Sequence, residues 1–245
     1  MTSTEAMIYQ LKQLKGKPLK QKLEHIVTYF WLPILLTAAI LIGTVSYIVH
    51  LVTLKEEALN VMCVNAVSHI EEEEAFMNDF AQSVGIDLDE YEVYISTNLS
   101  VSTEALYSSY EAVQALVARL VAGSVDVMAA DIDTLQSYLY QDFFYDLRDV
   151  LTAEQQEKYQ AYYLYMDLAV MRELLDAVDV EPVYPDPTKP ERMEEPVPIA
   201  LLLPVDTEFA KLCYPNRENV ALVLPGNAKQ LENGLAFLDY IFNEE

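Results

Sequence analysis

The chain has 245 residues, with 39 acidic against 15 basic side chains and a formal charge of −24. The charge is uneven: residues 1–55 carry six lysines against two glutamates, whereas residues 56–245 hold nine basic against 37 acidic groups, a net of −28. Such a segment excludes a nucleic-acid partner, which needs clustered Lys and Arg, and excludes lying flat on an anionic membrane surface.

Residues 1–25 form a short basic tail interrupted by Gly16 and Pro18. The next 27 residues, Ile26 to Val52, read IVTYFWLPILLTAAILIGTVSYIVHLV and contain no Asp, Glu, Lys or Arg. About 20 apolar residues carry a helix across a bilayer core, so a transmembrane helix is predicted over 26–52, in contact with membrane lipid. Lysines flanking a first span stay cytoplasmic. The expected protein is therefore single-pass in the cell membrane, with its N-terminus inside and residues 56–245 extracytoplasmic. A cleaved signal peptide is the rival. Its apolar region is usually shorter, and Ser46-Tyr47-Ile48 is a poor small-x-small cleavage site, so an uncleaved anchor is expected. Tyr29, Trp31 and Tyr47 suit the interface, and His25 and His50 fall near the headgroups.

Beyond the span, buried-strand and helix patterns alternate. Ala58–Ala66 reads as a buried strand, and Ser68–Val84 as a helix with Ser68 as N-cap, Glu71–Glu74 favouring its positive end and Gly85 closing it. Tyr91–Thr97 is the next strand, and Thr103–Ala122 an amphipathic helix ended by Gly123. Ser124–Ala130 is a third strand, and Asp131 caps a short helix, Ile132–Tyr140. Spacings of about 30 residues indicate βαβ units with right-handed crossovers and helices on both faces.

Thr152 and Gln155 resemble a capping box, and residues 153–178 are helical in pattern and rich in tyrosine. Tyr159, Tyr162, Tyr163 and Tyr165 either pack in the core or line a pocket or partner surface. Six prolines between Glu181 and Pro198 exclude helix and central strand there. Strands follow at Ile199–Leu203 and Asn219–Leu224, with a short helix at Thr207–Leu212, a turn at Pro225–Asn227 and a closing helix, Ala228–Phe242. The fold class is thus α/β: one transmembrane helix, then a single three-layer domain over 56–245, with a mostly parallel sheet of about five strands and a helical, Pro-rich insert at 152–198.

Residues 117–151, VARLVAGSVDVMAADIDTLQSYLYQDFFYDLRDVL, resemble the first lobe of the extracellular solute-binding proteins of ABC importers, the type 2 periplasmic-binding fold. The features are a helix ending in Ala122-Gly123, a strand from Asp126-Val127 to Asp131, and an apolar segment from Phe144 to Leu147. The closing helix, with Phe237-Leu238-x-Tyr240, is similar to the part of that lobe that returns. The likeness covers roughly 57–151 and 197–245. Where the family has a second α/β lobe, this chain has only the insert, so no two-lobed clamp is implied, and a membrane helix replaces the usual lipid-attached cysteine. The resemblance implies a binding module for a small polar solute, or an accessory subunit of a transporter or envelope complex with a membrane-protein partner.

Ligands of open α/β sheets sit beyond the carboxyl ends of the strands. That rule points to Asn65–Ser68, Thr97–Asn98, Ala130–Asp131, Pro204–Asp206 and Pro225–Asn227, with Asn65, Ser68, Thr97, Asn98, Asp131 and Asn227 as the candidate ligand-binding residues; the alternative is ordinary loop and capping chemistry. Asp126, Asp131 and Asp133 lack the glycine and terminal glutamate of a calcium loop. His69, alone outside the membrane flanks, makes no zinc site. With no nucleophile elbow, Walker loop or dinucleotide fingerprint, neither a catalytic residue nor a metal or cofactor is expected, and an envelope enzyme is the third-ranked reading. Cys63 and Cys213 are too few for a disulfide scaffold: they either fill the core as small residues or pair in an oxidising compartment.

Overall fold

The computed structural model describes Tyr9 and residues 18–101, 108–176 and 183–243. Contacts divide the chain between Leu54 and Lys55 into a helical unit and a sheet unit.

The helical unit is α1 (Leu19–Thr53), which starts directly after Pro18 and so extends through Lys20, Lys22 and Glu24 before the apolar run begins. Its segment Trp31–Val49 has a mean hydropathy of 2.2, none of it buried, and is long and apolar enough to cross a membrane. Thr28, Thr37 and Thr44 return their hydroxyls to carbonyls one turn back, at 2.7–2.9 Å. The threonine hydroxyls of the helix are thus satisfied within it, without water.

The sheet unit is a three-layer α/β structure. In chain order it comprises β1 (Glu56–Val64), α2 (Ile70–Val84), β2 (Tyr91–Leu99), α3 (Ser108–Val121), β3 (Val127–Asp131) and α4 (Ile132–Leu139), then the short helices α5 (Leu147–Val150) and α6 (Ala153–Tyr159). There follow β4 (Tyr163–Asp167), α7 (Leu168–Asp176), β5 (Pro196–Leu202), α8 (Glu208–Cys213), β6 (Val220–Val223) and α9 (Leu231–Phe242). The six strands lie in the order β2-β1-β3-β6-β5-β4. β2, β1 and β3 pair in parallel, while β6 is antiparallel to β3, β5 to β6 and β4 to β5. Four strands therefore run one way and two, β6 and β4, run back.

Alternation along β1 builds the two core layers. Leu59, Val61 and Cys63 face Phe76, Phe80, Phe209 and Phe237 of α2, α8 and α9. Met62 and Val64 face Leu116, Leu120, Leu135 and Met171 of α3, α4 and α7. Edge-to-face rings dominate the first layer, with Phe237 5.2 Å from Phe80 and 5.5 Å from Phe209.

Three expectations need correction. The tyrosine-rich segment is not one helix: α6 stops at Tyr159, Gln160–Tyr162 make a single 3-10 turn, and the chain enters edge strand β4 at Tyr163. Alternation in Tyr163-Leu164-Tyr165-Met166, with Leu164 and Met166 inward, outweighed the helical pattern. Pro196 and Pro198 do stand in an inner strand. They occur where β5 pairs only with β4, because β6 joins β5 at Leu201 and Leu202 alone, so the β6 side has no ladder there for a proline to break. Finally, Ser68 does not cap α2. His69 is the N-cap, and Glu73 reaches back to accept its backbone N–H at 2.6 Å. The glutamate run does lie at the positive end of that helix, and Gly85, in the left-handed conformation, closes it. The start of the helix predicted over Thr103–Ala122 lies outside the described residues.

Candidate functional site

At the carboxyl end of β1 the chain enters the left-handed region at Asn65 (φ 59°), a conformation asparagine tolerates better than most residues. Its side chain then spans three strand ends. The carbonyl oxygen accepts from Val101 N at 2.8 Å and Ser100 Oγ at 3.2 Å, beyond β2. The amide nitrogen donates to Asp131 Oδ2 at 3.0 Å and Thr134 Oγ1 at 3.1 Å, at the end of β3 and in α4. Asp131 caps α4 by accepting Thr134 N at 2.8 Å and Thr134 Oγ1 at 3.0 Å. Arg217 Nη1 stands 3.6 Å from Asp131 Oδ2. Partial burial works to raise the Asp131 pKa, but the hydrogen bonds from Asn65 and Thr134 and the Arg217 charge outweigh it and hold the carboxyl below its ordinary range.

These residues line a cleft of ≈ 760 Å³ whose other walls are Asp133, Ser100 and the loop Asn216–Asn219. That loop was absent from the sequence-selected set. It reaches the cleft because β6 runs backwards, so its amino end, not its carboxyl end, lies beside Asp131; the Asn219 carbonyl accepts Ile132 N at 2.8 Å. The signal was the Asn-Arg-Glu-Asn run ahead of a buried strand, legible only once the direction of that strand is known.

The same reversal carries Asn227 away. It follows β6 and falls at the opposite sheet edge, where Nδ2 donates to the carbonyls of Leu120 and Val121 at 2.7 and 3.1 Å. Its own carbonyl sits 2.7 Å from where a side chain on Gly123 (φ 61°) would begin, so that position admits only glycine. Thr97 and Asn98 lie within β2 rather than past its end, and Asn98 accepts Arg119 Nη1 at 3.0 Å. Ser68 lies outside the cleft lining. Of the six candidates, the structure brings together Asn65 and Asp131.

A second cleft, ≈ 710 Å³, lies at the Asn227 edge. Phe143, Phe144, Met166, Met171 and Ile199 give it an apolar floor, and Asp146, Arg148 and Asp149 contribute charge. None of the four tyrosines lines either cleft. Tyr159 is fully buried, donating to Asp239, and its ring meets Phe242 at a tilt while Tyr162 meets Phe242 edge-on.

Asp126 and Asp131 flank β3 at opposite ends. Asp126 accepts the backbone N–H groups of Asn60 and Gln230, both at 2.9 Å, so the aspartates do not converge on a cation. Among the described residues no group of three His, Cys, Asp or Glu side chains is placed to hold a metal ion.

No protein-family model and no curated protein sequence matches the chain. Two solved structures share part of it. One is an ABC transporter solute-binding protein from Agrobacterium vitis S4 with bound D-mannitol, 19% identical over 50% of this chain, with a TM-score of 0.27. The other is a putative oligosaccharide periplasmic-binding protein from Synechococcus sp. MITs9220, 11% identical over 46%, with a TM-score of 0.28. The chain spans 25% and 30% of those two chains, and at these TM-scores the likeness carries no argument about its fold or its function.

Proposed function

We propose that the chain is a membrane-tethered binding module that captures a small polar solute, without catalysis, in the cleft beyond Asn65 and Asp131. The observation that carries this reading is the lining: a pocket of ligand size whose walls are amide, hydroxyl, carboxylate and guanidinium groups. Asn65, Asp131 and Thr134 satisfy one another and form a stiff floor. The remaining donors of Arg217, with Asp133 and Glu218 beside it, are the groups that reach a ligand. A hydroxyl or carboxylate belongs at Arg217, and a hydroxyl or ammonium donor at the two acidic groups. The apolar run in α1 supports a membrane anchor, and the lysines before it support a cytoplasmic N-terminus with the acidic unit outside.

The test is a thermal-shift panel on the full chain in detergent with polyols, sugars, amino acids and short peptides. A true ligand at ~100 times its Kd adds about 2.7 kcal/mol, which raises Tm by roughly 5–10 °C. A flat response across the panel overturns the solute reading. Protease added to intact cells tests topology: cleavage of the N-terminal tail with protection of the acidic unit reverses the orientation.

A second reading, an accessory subunit held by a membrane-protein partner, is favoured by the apolar floor of the other cleft. Co-purification with a permease, abolished by Phe144→Asp, supports it over solute capture.

A further inference from the structure

The chain's two cysteines stand 150 positions apart, yet the fold brings them to one place. Cys63 shares its β1 face with Leu59 and Val61, and that face packs against Phe209, Ala210, Leu212 and Cys213 of α8. Three hydrogen bonds hold the end of α8 over the end of β1. Val67 N donates to the Cys213 carbonyl at 2.9 Å. The Tyr214 hydroxyl reaches the Val64 carbonyl at 3.0 Å and the Ala129 carbonyl at 2.8 Å, and Ala129 is the register partner of Cys63 on β3. Both are free thiols in this structure, they belong to the same core layer, and neither residue has any solvent exposure.

We propose that Cys63 and Cys213 join in an intramolecular disulfide in the mature protein, fastening α8 to the central strands beneath the loop that carries Arg217. One Sγ–Sγ bond forms and two S–H bonds break. The two protons and two electrons pass to the disulfide of a thiol oxidoreductase or of glutathione, whose S–S bond breaks to leave two thiols. The proposal rests on the extracytoplasmic placement above for its supply of oxidant. Burial pushes the Cys63 thiol well above its ordinary range, so in the folded protein it is a poor nucleophile. The exchange therefore belongs to folding, before the core closes, and the finished bond is a permanent fastener rather than a switch. It closes a loop long enough to confine the unfolded chain strongly.

The test is mass spectrometry of the full chain taken from membranes into detergent with an alkylating agent present. The expected result is a chain that takes up no alkyl group until unfolded and reduced, lighter by about 2 Da than the reduced form, with one linked peptide pair containing Cys63 and Cys213. Reduction should lower Tm by roughly 5–15 °C. Two alkylated thiols after unfolding without reductant overturn the proposal. The same chain, reduced, unfolded and refolded against oxidised glutathione, then shows which premise failed. Pairing in that arm convicts the extracytoplasmic placement, and separate glutathione adducts convict the geometry.

Discussion

The parallel half of the sheet, β2-β1-β3, and the antiparallel half, β6-β5-β4, are fastened by different means. In the first, long crossover helices cover the faces and hold the strands through apolar contact, with Phe76, Phe80, Leu116 and Leu120 fully or almost fully buried. In the second, the linking chain between α7 and β5 contains no long helix among its described residues, and a polar side chain secures it. Asp167, almost fully buried, accepts the backbone N–H groups of Glu194 at 2.8 Å, Glu195 at 3.0 Å and Ala169 at 3.1 Å. The candidate solute cleft forms where the halves meet, because only the reversal of β6 brings Arg217 to the strand ends marked by Asn65 and Asp131.

The contrast can be broken most forcefully from the apolar side. Phe237→Ala removes a ring that meets Phe76, Phe80 and Phe209 edge-on, and is expected to cost about 3–5 kcal/mol in chemical denaturation of the full chain. In the other half, Asp167→Ala leaves three backbone donors without their acceptor and should cost about 2–3 kcal/mol. Its distinguishing mark is local: hydrogen exchange accelerates at Glu194 and Glu195 while β1 stays protected. Global loosening in both variants would erase the distinction between the halves.

A smaller effect tests the junction. The Asp131 carboxyl titrates lower in the folded protein than when unfolded, so its stabilisation is complete above the unfolded value of about 3.9 and disappears as pH falls through the folded one. Asp131→Asn should therefore be about 1 kcal/mol less stable than the parent at pH 7, with the gap closing below pH ~4. A gap that is the same at both pH values would show that charge at Asp131 plays no part. Of similar size, but independent of pH, is Thr152→Ala, which opens the capping box of α6 at a cost of about 1 kcal/mol, read as a Tm change of a few degrees.

How much was legible in the sequence follows the same division. The βαβ order, the Gly85 and Gly123 helix ends, the Asp131 cap and the Thr152–Gln155 box are local patterns, and each appears where its residues predict it. Strand direction is not local. Val220–Val223 is equally apolar read either way, and nothing within it records that it lies antiparallel beside β3. Treating every strand's carboxyl end as one edge therefore selected Asn227, which stands at the far edge, and passed over Arg217 and Asn216. In the tyrosine segment two periodicities overlap within ten residues, and burial of Leu164 and Met166 against the sheet decides between them only in three dimensions.

On the proposed reading the polar cleft at Asn65 and Asp131, not the apolar one beside Asn227, receives the solute. Calorimetric titration of a solute identified by thermal shift against the parent chain, Arg217→Ala and Asn227→Ala decides between the two clefts. The expected result is that Arg217→Ala weakens binding at least tenfold, while Asn227→Ala, once shown to be folded, binds as the parent does. Unchanged affinity in Arg217→Ala together with loss in Asn227→Ala would contradict the assignment and move the site to the opposite edge of the sheet.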